Sequence, residues 1–297
     1  MWCFFKPDQL HVLDGTKTWY LDGTFKLVKR PFTQLFSVHA FVKGDTGGMK
    51  QVPLAFVLIT RRTKKDYKKV LKALRRKLPS RAANLQELVV DFKVGLWGAI
   101  RAVFPDASVN CRLFHWTQAV WRKCQALGLT VPYMSNDRVR DFIGQLLSLP
   151  FLPNEHIGPA FEELSSLVTD QLAMVKLCSY LRTTWLENST WSPRDWSVFM
   201  RSIRTNNDVE GWHRRLIGQA GRHTVQFYNV IKLLYAESSY VNVQLRLVKE
   251  ARLCRNQQRM YRQIQGKIFK LWDDYQARRL TTSGLLAACK YLTGPAL

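Results

Sequence analysis

Acidic residues are scarce in this sequence. Its 297 residues include 22 aspartates and glutamates against 45 lysines and arginines, which gives a formal net charge of +23. An excess of this size favours a polyanionic partner, and nucleic acid is the usual one. A membrane surface is a poorer partner, because no basic segment also carries the long apolar face of an interfacial helix. The composition therefore favours nucleic-acid binding.

Several other signals are missing. No apolar run is long enough for a membrane span, and Met1 to Phe5 is followed at once by Lys6 and Pro7, unlike a signal peptide. The six cysteines form no C-x2-C pair, so they indicate reduced thiols in an intracellular protein rather than a zinc site or a disulfide framework. There is also no glycine-rich phosphate loop and no nucleophilic Ser or Cys motif. Because the first predicted strand begins near the N-terminus, we expect the chain to be one piece of a longer protein.

Hydrophobic periodicity predicts the element order β-β-β-α-β-α-β-α over the first 128 residues. In the first strand, Trp19, Leu21, Phe25 and Leu27 alternate with polar residues. The later strands are predicted at 36–42, 53–60, 85–92 and 107–114, and the helices at 64–78, 94–104 and 115–128. This order predicts an α/β fold, a mixed sheet with helices on its faces.

The strand signal disappears between residues 132 and 204, where helical patterns are broken by Pro150, Pro153 and Pro193. We interpret this stretch as an all-helical insertion. The remainder is helical and basic, with one long polar helix predicted over 243–264. The predicted organisation is a lead-in (1–18), the first part of the core (19–131), the helical insertion (132–204), completion of the core (205–237) and a basic helical tail (238–297).

Three carboxylates stand out by position. Asp22 lies inside the first predicted strand, Asp91 ends the fourth, and Glu210 opens the helix after the insertion. Ligand sites of open α/β sheets lie beyond the carboxyl ends of strands, where Asp91 falls. Two neighbouring carboxylates need a counter-charge, and Mg²⁺ is a natural one. With a third carboxylate they could hold two metal ions about 4 Å apart, the arrangement used in phosphoryl transfer.

Each carboxylate also has a structural alternative. Asp22 could begin a turn, since Asp-Gly is a common hairpin dipeptide. Asp91 could cap the helix that follows it. Glu210 lies three residues after Asn207, so the pair could form a variant of the capping box. Composition and spacing leave these alternatives open.

Several sequence blocks resemble the transposase domain of Mutator-like elements, the MULE type. They are "LDGTFKLVKRPFTQLFSVHAF", "PLAFVLIT", "VVDFKVGLWGAIRAVFP", "FHWTQAVWRKCQALGL", "LPFLP" and "TNNDVEGWHRRL", in the order found in the family. The resemblance runs from about Trp19 to Glu237. It implies an RNase H-like fold, a helical insertion before the final glutamate, and a DDE triad of Asp22, Asp91 and Glu210 that holds two Mg²⁺ or Mn²⁺ ions.

Two positions depart from the family pattern. An acidic residue usually follows the "DF" block, whereas this chain has Lys93. The family also tends to show a C-x2-H block, but here Arg112 stands at the cysteine position and Cys111 is shifted by one. His115 matches, and we assign no metal or structural role to Cys111. Both departures are expected of a sequence that has diverged from that of an active transposable element.

The resulting hypothesis is a nuclear DDE transposase domain that cuts and joins DNA, has no membrane segment and is compatible with a homo-oligomer. The alternative is a domesticated, catalytically silent DNA-binding or scaffolding protein that keeps the fold. Trp116, Trp121 and Trp212 are interpreted as core residues. The basic helices 64–78 and 243–264 are the candidates for DNA contacts. The individual DNA-binding candidates are Lys64, Lys65, Lys68, Lys69, His115, His213 and Arg214.

Overall fold

A computed structural model describes residues 1–45, 47–168, 171–202, 207–221, 225–255 and 259–292, with the side chains of Asn207 and Arg259 excepted. The described chain groups into two compact units. The first comprises 1–110 and 206–256, and the second comprises 111–205 and 257–297. The domain boundaries inferred from the sequence stay a prediction.

A six-stranded mixed sheet forms the centre of the first unit. Its strands are β1 (Trp2–Phe4), β2 (Thr18–Thr24), β3 (Gln34–Lys43), β4 (Met49–Ile59), β5 (Glu87–Val90) and β6 (Ser108–Cys111). The spatial order is β1-β4-β3-β2-β5-β6. Strands β1 to β4 pair antiparallel, whereas β2 and β5 are parallel. The predicted mixed sheet with helices is therefore confirmed, while its RNase H-like character and the insertion stay predictions.

The helices of the first unit are α1 (Pro7–Asp14), α2 (Lys64–Lys77), α3 (Val94–Val103), α10 (Asn207–Gln219) and α11 (Phe227–Lys249). From β2 onward the elements follow the order predicted for the first 128 residues. The periodicity does not predict strand β1 or helix α1. Strand β1 has only three residues and pairs with β4, where Trp2 lies opposite Leu58 and Phe4 opposite Phe56.

One apolar cluster holds α10 and α11 against the sheet. It includes Trp212 of α10, Leu234 of α11 and Phe56 of β4. The Trp212 ring stacks on Phe56 at 5.7 Å between centroids and meets His39 edge-on at 4.9 Å. The interpretation of Trp212 as a core residue is confirmed. Because Trp212 is fixed in this cluster, the neighbouring residues of α10 are held near the sheet.

The predicted continuous helix over 243–264 is wrong. Helix α11 ends at Lys249, and the residues described from there up to 255 are not helical. The Arg255 backbone N–H donates to the Met49 carbonyl at 2.7 Å, and its side-chain Nε donates to Asp208 Oδ2 at 2.7 Å. Ala251 takes a left-handed φ of 56° at the break. Tertiary hydrogen bonds, rather than a glycine or a proline, therefore accompany the end of this helix.

The second unit is helical over its described residues beyond β6. Its helices are α4 (Leu113–Ala126), α5 (Thr130–Ser135), α6 (Asp137–Ser148), α7 (Asn154–Ser166), α8 (Leu172–Leu181), α9 (Pro193–Trp196), α12 (Arg259–Gln276) and α13 (Thr282–Cys289). Its core is rich in tryptophan: Trp116 stacks on Trp196 at 4.3 Å and meets Trp185 edge-on. Trp116 is 1% exposed, so its interpretation as a core residue is confirmed. Trp121 is only partly buried and meets Tyr133 edge-on.

The cysteines behave as packing residues where they are buried. Burial raises the pKa of the Cys124 thiol to about 12 and that of Cys178 to about 11. Both thiols therefore stay protonated and unreactive at neutral pH. All six cysteines are free thiols, as their scattered spacing predicts. In the described part of the chain, no helix combines the length and apolar character needed to cross a membrane.

Candidate active site

Strands β2 and β5 bring Asp22 and Asp91 to the same end of the sheet. Strands β2 and β5 run parallel, with Tyr20 opposite Val89. Asp22 lies two residues beyond Tyr20 in β2, and Asp91 lies two residues beyond Val89, directly after β5. Side chains at matching positions of parallel strands point to the same face. The two aspartates are therefore neighbours at the carboxyl ends of their strands, where α/β sheets bind ligands.

Asp22 belongs to a regular strand rather than to a turn. It lies opposite Ser37 of β3, and the antiparallel ladder continues for two residues beyond it. The alternative in which Asp22 begins a hairpin turn is therefore wrong. Its side chain is 11% exposed, with Oδ1 accepting the Gly23 N–H at 2.7 Å and Oδ2 lying 3.8 Å from His213 Nδ1. Asp22 thus carries a largely buried carboxylate beside a histidine of α10.

The glycine after Asp22 leaves room for a buried glutamine. A Cβ on Gly23 would come within 1.6 Å of Nε2 of Gln34. This glutamine is 0% exposed, and its Oε1 accepts a hydrogen bond from the Tyr67 hydroxyl. Gly23→Ala should therefore lower the free energy of unfolding by about 1–3 kcal/mol, the usual cost of overpacking.

Calorimetric melting measures this effect. Gly158→Ala in α7 is a suitable control, because nothing lies within 4 Å of the added methyl group. That control should be neutral or stabilising, since alanine is the better helix former. A Gly23→Ala protein as stable as wild type would contradict the packing described around Gln34.

Asp91 is paired with a lysine two residues along the chain. Lys93 Nζ donates to Asp91 Oδ2 at 2.8 Å, and the two side chains are 28% and 16% exposed. The N-cap position of α3 is occupied by Lys93 and has no side-chain capping bond, so the alternative in which Asp91 caps this helix is wrong. Instead, the Asp91 backbone carbonyl accepts the Trp97 indole N–H at 2.8 Å, which fixes the end of β5 to α3.

Lys93 interacts with both aspartates. Burial acts to lower the pKa of the Lys93 ammonium, but the charge and hydrogen bond of Asp91, with smaller contributions that include the charge of Asp22, raise that pKa above its ordinary value. The ammonium also lies 5.3 Å from the centre of the Phe25 ring. Lys93 therefore stays charged and serves as the counter-cation of the aspartate pair.

Glu210 lies in the first turn of α10 and is partly buried. His213, one turn later on the same helix, lies with Nδ1 3.8 Å from Asp22 Oδ2. The capping-box alternative for Glu210 depends on the side chain of Asn207, which lies outside the described residues. Helix α10 thus brings the predicted third carboxylate to the unit that contains the two aspartates.

The side chains at this site provide only some of the ligands that a divalent ion needs. Among the described residues, no three or more His, Cys, Asp or Glu side chains are grouped so that they could hold a metal. Mg²⁺ is nevertheless commonly bound by one or two carboxylates together with water and substrate phosphates. Asp22 and Asp91 fit that smaller set. Lys93 already holds Asp91 Oδ2, so a divalent ion at this oxygen would compete with its ammonium.

The segment that carries both aspartates matches a known family. Residues 18–119 match the model of the MULE transposase domain. This confirms, for that segment, the resemblance read from the sequence blocks. The MULE segment, residues 18–119, includes Asp22, Asp91 and Lys93, whereas Glu210 lies beyond it. No curated protein matches the chain.

The predicted DNA-binding residues of the first unit lie on two helices. Helix α2 of the MULE segment carries the four predicted lysines, of which Lys64, Lys65 and Lys69 are exposed and Lys68 is partly exposed. Arg214 is exposed on α10, next to the His213 that approaches Asp22. The lysines of α2 are therefore open to solvent and available to a polyanion.

His115 belongs to the second unit. It lies in the first turn of α4, where its ring meets Phe114 edge-on. Arg112 and Cys111, the positions that depart from the family block, are both buried.

Sequence reasoning missed the role of Lys93. The residue departs from the family pattern, but that departure does not by itself predict an ion pair with Asp91. The available signal was its position two residues after Asp91, which directly follows β5, within reach of that carboxylate. For His213 the sequence predicts a phosphate contact near the site, and the structure adds its position 3.8 Å from Asp22 Oδ2.

Replacement of Lys93 tests the counter-cation role. In metal-free buffer, Lys93→Gln should lower the free energy of unfolding by roughly 1–3 kcal/mol, because Asp91 loses a charge-assisted hydrogen bond. Addition of Mn²⁺ should then raise the melting temperature of the variant more than that of wild type, since the ion no longer competes with an ammonium. Lys17→Gln, at an exposed lysine of the same unit, is the control. Equal stabilisation of all three proteins by Mn²⁺ would contradict the competition.

Proposed function

We propose that the chain is the catalytic domain of a MULE-type DDE transposase, with an RNase H-like core, that cleaves DNA strands and transfers them. The observation that supports this proposal is the parallel pairing of β2 and β5, which brings Asp22 in β2 and Asp91, directly after β5, to the same end of the sheet inside the MULE segment. The mixed sheet and the basic composition support it further.

In the proposed reaction, Asp22 and Asp91 would hold the divalent ions, with Glu210 of α10 as the third predicted ligand. When bound, Mg²⁺ or Mn²⁺ would activate the attacking water or DNA 3′-hydroxyl and stabilise the leaving oxygen. Lys93 releases Asp91 and, as an ammonium, remains available to a nearby phosphate oxygen. His213 orients the Asp22 carboxylate from α10. The lysines of α2 contact the phosphates of the DNA, and the natural location of such an activity is the nucleus.

Nicking of supercoiled plasmid tests this function. The purified chain is incubated with plasmid in Mg²⁺, in Mn²⁺ and in EDTA, and DNA binding is recorded on the same samples. We expect open-circular product in Mg²⁺ or Mn²⁺ and none in EDTA. Binding without nicking under every condition would contradict the catalytic part of the proposal.

A second candidate is favoured by the Lys93 ion pair. A protein that neutralises Asp91 with its own ammonium keeps the fold without requiring a metal ion, as expected for a silent DNA-binding or scaffolding protein. The Lys93→Glu variant separates the two candidates, because it restores the acidic residue usual after the "DF" block. Metal-dependent nicking that appears only in Lys93→Glu would identify wild type as the silent form.

A further inference from the structure

A cleft of about 850 Å³ lies wholly within the second, helical unit. Its walls come from three separate stretches of chain: the start of α7, the segment around α9, and the link between α12 and α13. The size is within the range of sites that bind small molecules or single groups of a polymer. None of these residues belongs to the site of Asp22 and Asp91 or to the MULE segment.

The cleft carries net positive charge. Its charged residues include Arg194, Arg201 and Arg278 against Glu155, a balance of +2 with His156 neutral. Arg194 and Arg278 are exposed, so their guanidinium groups are open to solvent. A guanidinium stays charged at all physiological pH values and matches the geometry of a phosphate. The first residues of α7 and α13 also line the cleft, and helix N-termini favour anions.

Aromatic and hydroxyl groups accompany this charge. Phe199 and Tyr275 meet edge-on at 6.2 Å, and both line the cleft. The Tyr275 hydroxyl lies 2.6 Å from His156 Nδ1 and 2.9 Å from the Thr282 hydroxyl, which fixes the tyrosine ring. A flat base can pack on such rings while arginines hold its phosphate, the combination used by proteins that bind single strands.

We propose that this cleft binds a phosphorylated nucleotide unit, supplied by a single strand of nucleic acid. The arginines hold the phosphate and the aromatic pair contacts the base. This second nucleic-acid site does not depend on the acidic pair being catalytic, so it can hold whether or not the chain cuts DNA.

Fluorescence anisotropy with a labelled 12-nucleotide single strand tests the proposal, using the full chain in metal-free buffer. The double variant Arg194→Glu/Arg278→Glu should bind the strand about tenfold or more weakly than wild type, because both phosphate contacts become repulsive. The matched control is Arg122→Glu/Arg138→Glu, which changes the charge equally at exposed arginines of the same unit outside the cleft. The control should weaken binding by less than about threefold, as expected for a general change of charge.

Equal weakening by the two double variants, or no weakening by either, would overturn the proposal. Competition with free deoxythymidine monophosphate distinguishes the source of the nucleotide. Displacement of the strand by the mononucleotide would overturn the strand as the source and assign the cleft to free nucleotides. No displacement would support the strand. Thermal melting verifies folding, and Arg278→Gln serves as a milder variant if the double variant melts early.

Discussion

Asp22→Asn should abolish metal-dependent nicking while leaving DNA binding nearly unchanged. The substitution keeps the shape of the side chain and its contact with the Gly23 N–H, but removes the negative charge that faces Lys93 and His213. Stabilisation of transition-state charge through a bound metal is worth several kcal/mol. Since each 1.36 kcal/mol corresponds to about a factor of ten in rate, nicking should fall on the order of 10³-fold.

Asp106→Asn is the matched control for this variant. Asp106 is an exposed carboxylate of the same unit, in the loop after α3, and its loss changes the net charge equally. Its nicking rate should equal that of wild type. Equal rates for Asp22→Asn and wild type would remove Asp22 from the catalytic site.

Neutralisation of four lysines on α2 should have the second large effect. Lys64, Lys65, Lys68 and Lys69 are at least partly exposed, and the apolar side of the helix packs into the protein through buried residues that include Tyr67. Each phosphate contact contributes about 0.9 to the slope of log affinity against log salt. In the quadruple Lys→Gln variant, the magnitude of that slope should therefore fall by about 3–4. The affinity of this variant for duplex DNA should be lower on the order of 10²-fold at physiological salt.

A second quadruple variant controls for net charge. Lys17, Lys43, Lys176 and Lys267 are exposed lysines outside α2, and their change to glutamine removes the same four charges. Its salt slope should stay close to that of wild type. An unchanged salt slope in the α2 variant would exclude this helix from the DNA-binding surface.

Much of the first unit could be predicted because its periodicity is local. Strand alternation and the basic amphipathic pattern of α2 are properties of neighbouring residues, so the elements from β2 to α4 appear in the predicted order. The position of Asp22 within a strand follows from the same alternation. Its closeness to Asp91 was a hypothesis, because parallel pairing of β2 and β5 is a property of the folded sheet.

Other features depend on contacts between residues distant in sequence. Strand β1 exists through its pairing with β4, and the end of α11 is accompanied by the bonds of Arg255 to Met49 and Asp208. No glycine or proline marks that end, so the helical pattern continues past it in the sequence. The cleft of the second unit is built from three stretches that lie far apart along the chain, and no local pattern predicts it.

The central claim is that Asp22 and Asp91 together bind a divalent ion that replaces Lys93. Anomalous diffraction from crystals grown with Mn²⁺ tests it most directly, because the signal locates the metal independently of any assay of activity. The account predicts a manganese peak between the two carboxylates, with Lys93 Nζ moved away from Asp91. Crystals with no manganese at this position, and with Lys93 still bonded to Asp91, would contradict it.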